Sequence, residues 1–154
     1  MAVTEEAIIN KLAVYEREIV GVNNSYGYGE NPGVINNPPI AIHYSPGFDS
    51  ELKGVNNHWQ NMIEVQTALF VVPRQSKAAR LSLLEAEAIP YGQRWRAKFQ
   101  TAAVINDFLS LGLTSAFLTK GKYGVGNGAG NSVLTWRGTD FFGWVFTFVF
   151  IERI

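Results

Sequence analysis

Phe141-Phe142-Gly143-Trp144-Val145-Phe146-Thr147-Phe148-Val149-Phe150-Ile151 decides how this chain folds. Counted in twos, one face carries Phe142, Trp144, Phe146, Phe148 and Phe150, and the other Gly143, Val145, Thr147, Val149 and Ile151. The stretch therefore reads as a strand of aromatic and β-branched residues with no wet face. Such a strand has to be covered on both sides, and each large side chain it buries contributes about 1.5–3 kcal/mol. One cover is expected to be helical and to come from the chain itself. The other is a second sheet or a neighbouring copy of the protein.

Two features of the composition point to assembly. The chain has 154 residues, the size of one domain, 1–154, with 47% hydrophobic content. Charged residues make up only 17% and aromatics reach 13%, so part of the surface is expected to be buried in an assembly. Thirteen basic and thirteen acidic residues balance, which argues against a nucleic-acid binder that neutralises phosphates. Cysteine is absent, which removes disulfides and thiolate metal sites. The start, Met1 to Glu6, lacks a positive segment and a long apolar run, so no secretory signal is expected, and no stretch reads as a membrane-spanning helix.

Upstream, Thr4 with Glu5 and Glu6 marks a helix start, and Ile8, Leu12, Tyr15 and Ile19 form one helical face closed by Gly21, predicting a helix over 5–20. Residues 22–39 are rich in Asn, Gly, Pro and Tyr and read as a long loop. Ile40 to Tyr44 is a short strand that Ser45-Pro46-Gly47 should end, followed by a second loop over 48–57. His58 to Val72 is the longest strand candidate, with Trp59, Ile63, Val65, Leu69 and Val71 inward.

Ser76 is placed as the cap of a helix beginning at Lys77, with Ala78, Leu81, Leu84 and Ala88 on its face. Pro90 breaks or kinks that helix before Trp95, Phe99 and Ala102-Ala103. Asn106 to Gly112 reads as a turn, Leu113 to Tyr123 as a strand, 124–130 as a glycine-rich loop and Ser132 to Arg137 as a strand turned into the last one by Arg137-Gly138-Thr139-Asp140. The sum is an α+β domain: a mainly antiparallel sheet of four to five strands packed on an N-terminal helix and a Pro-kinked central helix pair.

Chemistry finds little support. His43 and His58, with Asp49, Glu51 and Glu64, show none of the metal-ligand spacings, so no metal and no cofactor is expected. The 124–130 run matches no phosphate-binding pattern and does not open a helix. Glu85 and Glu87 point to different sides of a helix and make no carboxylate pair. No nucleophile–base–orienter set is legible, so the chain is expected not to be an enzyme and to have no catalytic residues. Tyr26, Tyr28 and Trp59 leave a carbohydrate- or peptide-binding module as an alternative, although aromatics also dominate protein interfaces.

The order of these elements, with Ile89-Pro90-Tyr91 in the central helix and Leu134-Thr135-Trp136-Arg137-Gly138-Thr139-Asp140-Phe141-Phe142-Gly143 leading into the last strand, resembles the tail terminator proteins of long-tailed bacteriophages. The resemblance is one of pattern and covers nearly the whole chain; related neck and head–tail joining proteins share its size and style. It implies a homo-oligomeric ring, a hexamer, that caps the head-proximal end of the tail tube, ends tail polymerisation and docks the head connector. The implied partners are further copies of itself, the tail tube protein and the head completion protein, with DNA passing through the channel without sequence-specific binding and no membrane contact. The implied place is the virion neck, after assembly in the host cytoplasm. The loops over 22–39, 48–57 and 123–130 are its expected contact surfaces, and the first is longer than the family pattern.

Overall fold

The C-terminal stretch is one long strand at the interior of the sheet. In the computed structural model, which describes residues 3–54, 58–74, 81–124 and 134–154, it is β6 (Thr139–Arg153). On one side it pairs antiparallel with β3 (His58–Pro73), from Pro73 opposite Phe141 to Gln60 opposite Arg153. On the other it pairs antiparallel with β4 (Ser115–Gly124). Next to β3 lies β2 (Ile40–Lys53), and β2 carries the two-residue β1 (Asn24–Ser25) in parallel. The three-residue β5 (Leu134–Trp136) folds back on the start of β6 through Arg137 and Gly138, whose φ values of 47° and 84° are those of a tight hairpin turn matched to strand twist.

The fold is therefore α+β, as expected, but its sheet has six strands in the order β1-β2-β3-β6-β4 with β5 beside β6. One of its pairings is parallel. The strand not expected is β1, whose two residues carry no alternation to read, whereas β5 falls within the strand expected over Ser132 to Arg137.

Four helices supply one cover: α1 (Glu5–Arg17), α2 (Leu81–Ala88), α3 (Tyr91–Phe99) and α4 (Ala102–Leu109). Their buried residues join one cluster with Ile63, Val65, Leu69, Phe142, Phe146, Phe148 and Phe150. The contact is an aromatic ladder. Trp95 stacks on Phe146 with centroids 4.7 Å apart and planes 3° apart, Phe99 meets Phe148 edge-on at 5.0 Å, and Phe108 meets Phe150 at 5.3 Å. Thr4 caps α1 as read, its hydroxyl accepting from the Ala7 amide at 3.1 Å. Pro90 separates α2 from α3, and the Trp144 indole N–H donates to the Ala88 carbonyl at 2.9 Å, taking up an acceptor that the end of α2 leaves free.

Several sequence expectations are corrected. The first helix stops at Arg17, not at residue 20, with Glu18 as its cap and Gly21 at φ +93° closing the turn that follows. The 106–112 segment is not simply a turn: α4 reaches Leu109, because Val104 and Phe108, four apart, bury into the core while Asn106 and Asp107 face outward. The chain then turns through Ser110 to Gly112, where φ is +107°. Ser45-Pro46-Gly47 does not end the second strand but makes a bulge between Tyr44 and Gly47, after which β2 runs on to Lys53. Proline is tolerated there because β2 beyond Ala41 has no described neighbour on its outer side, so no ladder bond is lost. Most of the expected 48–57 loop is thus strand. Trp59, expected inward, is 51% exposed. Ser76, Lys77, Ala78, residues 125–133 and the side chains of Leu81 and Leu84 lie outside the described residues.

Among the described residues, the second face of β6 is covered at one end only. Ile40, Ile42, Ala68, Phe70, Leu134 and Phe141 form a small cluster there, with Tyr26, Ile35, Trp136 and Val145 packed against it. The 22–39 segment therefore supplies part of the second cover, and the Trp136 indole N–H ties it down by donating to the Gly33 carbonyl at 2.7 Å. Further along β6, Thr147, Val149 and Ile151 are half-buried and belong to neither core cluster.

Candidate assembly surface

A buried polar cluster fixes the 22–39 segment to the body. Glu16 on α1 is fully buried, and all its described partners are donors: the Ser25 hydroxyl at 3.0 Å, His43 Nε2 at 2.5 Å and the Trp95 indole N–H at 2.9 Å. His43 Nδ1 meets the Tyr26 carbonyl at 2.6 Å. Burial lowers the pKa of the His43 imidazole, but the Glu16 charge, the Glu16 hydrogen bond and the Tyr26 carbonyl together outweigh it and raise the pKa above its ordinary value. A charged imidazolium donating from both nitrogens satisfies this geometry.

Serine, histidine and glutamate lie together here without making a nucleophile. Ser25 is fully buried and donates to the carboxylate, and both histidine nitrogens are engaged elsewhere. The cluster joins α1, β1, β2 and α3 at one point and acts as a pin. A second tie is half-buried: Asp107 of α4 accepts from the Tyr15 hydroxyl at 2.5 Å and from Lys11 Nζ at 2.9 Å. The hydrogen bond to Asp107, with burial and the Asp107 charge, pushes the Tyr15 phenol up to about 12.

The metal alternative finds no support among the described residues, which hold no group of three or more His, Asp or Glu side chains able to share an ion. His43 pairs with Thr67 and His58 with Lys53, so the two histidines stand nine β3 positions apart, roughly 30 Å along the hairpin. His43 is committed to Glu16, and exposed His58 only approaches the Ile154 carbonyl at 3.4 Å. The sugar-stacking alternative also thins: Tyr26 packs into the small cluster, which leaves Tyr28 and Trp59 as the exposed rings of that set.

What the molecule does expose is an arm. Beyond Ile63 the β2–β3 hairpin outruns the helices, so residues on its helix-side face lose their cover. Phe48 is 65% exposed, Leu52 50%, Trp59 51% and Ile154 57%. Leu52 lies opposite Trp59, and Trp59 exchanges backbone hydrogen bonds with Ile154 at 3.2 and 2.9 Å, so three of the four form one row across three chains of backbone. The open face of the sheet adds Phe117, Tyr44 and Met62 beside Val149 and Ile151. Sequence reasoning placed contact residues at 48–57 but took the segment for a loop. The signal that it missed is the alternation Phe48, Ser50, Leu52 resuming after the proline.

Among the described residues no helix is long and apolar enough to cross a membrane. Of the three expected contact segments, 22–39 lends Tyr26 and Ile35 to the intramolecular cover but leaves Tyr28 and Val34 exposed, 48–57 is the arm, and most of 123–130 lies outside the described residues. A scan of the chain against protein-family models finds no match, and a search of curated proteins finds none either.

Proposed function

We propose that this protein is a structural, non-enzymatic virion component: a homo-oligomeric ring, a hexamer, that caps the head-proximal end of a phage tail tube and joins it to the head connector. The observation that carries the self-assembly part of the reading is the exposed apolar arm of Phe48, Leu52, Trp59 and Ile154, next to a sheet face that the described residues leave half covered. Apolar residues concentrated on a projecting hairpin are better explained by burial against another subunit than by any ligand chemistry. The phage assignment rests on the resemblance in element order. The balanced charge of the chain suits a channel through which DNA slides, since a basic lumen would grip phosphates.

The test is assembly on a tail. Purified protein is mixed with tail tubes that lack their terminator and examined by negative-stain imaging. Capped tubes of fixed length with a ring at one end are the expected result. Tubes left unaltered by a protein that forms rings on its own would move the assignment to a neighbouring neck or head–tail joining protein. A protein that neither forms rings nor binds tubes would leave the carbohydrate- or peptide-binding alternative.

A further inference from the structure

A groove runs between α3 and the outer edge of β4, on the helix side of the sheet. Its volume is about 620 Å³, and its floor is the stacked pair Trp144 and Phe146, with centroids 5.6 Å apart. Two glycines keep it open and close-packed. A Cβ on Gly92 would strike the Trp144 ring at 2.6 Å, and one on Gly121 would press Phe146 at 3.2 Å. Arg96 and Lys120 stand on its rim, and among the described residues no acid lines it and neither cation has an acidic partner. One wall is β4 itself, and no described strand pairs with the outer edge of β4. An apolar floor, a cationic rim and a free strand edge together fit an extended segment that is apolar on one face and acidic on the other.

The molecule carries such a segment. On β2, Phe48 and Leu52 occupy the helix-side face, four residues or about 13 Å apart, and Asp49 and Glu51 occupy the opposite face. All four are exposed, and the only described ion pair among them is the one between exposed Glu51 and Lys53 at 3.5 Å. This length of β2 also has no described strand on its outer side.

We infer that the β2 arm of one copy docks in the α3–β4 groove of the next, edge to edge with β4. Phe48 and Leu52 then lie on the Trp144 and Phe146 floor, and Asp49 and Glu51 lie on the side where Lys120 projects. The two surfaces differ and stand at opposite edges of one sheet, so the contact is head-to-tail and propagates until it closes into a ring. This deepens the ring reading by naming its subunit contact, and it rests on that reading.

The test uses the intact protein and compares masses by sedimentation. An arm variant, Phe48→Asp with Leu52→Asp, and a groove variant, Arg96→Glu with Lys120→Glu, alter only exposed positions. Each should keep the wild-type melting temperature and raise the concentration needed for assembly by about tenfold or more. Mixing the two should give a 1:1 dimer that grows no further, since only one intact arm and one intact groove remain. Asp49→Lys with Glu51→Lys should lose assembly and regain it when combined in one chain with Lys120→Glu. Because the chain has no cysteine, Leu52→Cys with Gln93→Cys should cross-link only between copies. Rings of wild-type mass from the arm and groove variants would overturn this contact and leave the ring reading standing. A wild type that stays monomeric at every concentration would overturn both.

Discussion

At Glu16 a single carboxylate holds together parts of the chain far apart in sequence. Its removal leaves His43, Ser25 and Trp95 with unpaired donors in a dry site, so Glu16→Ala should cost about 3–5 kcal/mol, read from the denaturation midpoint. His43 gives the same cluster a pH signature. Its pKa is raised on folding, so its contribution to stability is complete below about pH 6.5 and declines as pH rises through the folded value. The melting-temperature gap between wild type and His43→Asn should therefore narrow from pH 6 to pH 9; a gap that widened would contradict the charged assignment. None of this was legible in the sequence. Thr67 apart, the polar residues inside are ones whose partners lie on other elements, and Glu16 sits among ordinary surface charges of a helix. Gly143 was similarly opaque. It read as one small residue on a strand face, yet a Cβ there would lie 1.8 Å from the Leu69 carbonyl oxygen. Gly143→Ala should therefore prevent β3 from pairing normally with β6, seen as loss of the cooperative melt.

Elements were more legible than residues, and for a physical reason. β6 and β3 carry long period-two patterns, and α1 carries a period near 3.6 with a capping threonine, so their existence and facing followed from local spacing. The ladder of Trp95, Phe99 and Phe108 on Phe146, Phe148 and Phe150 turns that pattern into packing energy. Trp95→Ala should cost about 3–5 kcal/mol by chemical denaturation, the range for emptying a fully buried aromatic site. α4 was half missed because Asn106 and Asp107, good turn formers, sit on its solvent side, where Asp107 serves Tyr15 and Lys11 instead. β2 was cut short because proline and glycine normally end a strand. On an edge they make a bulge, and whether a strand is an edge is a property of the whole sheet.

For the whole molecule, the demand for two covers was visible from the C-terminal strand alone. The helical cover was anticipated, whereas the partial second cover, built from the 22–39 segment and β5, was not, because its contacts join residues such as Gly33 and Trp136 that are remote in sequence. What the described residues leave uncovered is continuous in kind with the exposed arm: apolar, strand-borne and flanked by edges that no described strand pairs. The claim that binds these observations is that another copy of the chain completes the fold. The mass of the wild-type protein in solution, measured by light scattering over a wide concentration range, tests it most directly. The account predicts a shift from monomer to one discrete closed species of six copies, with no larger polymer. A monomer unchanged to the highest concentration, or an open-ended series of sizes, would contradict it.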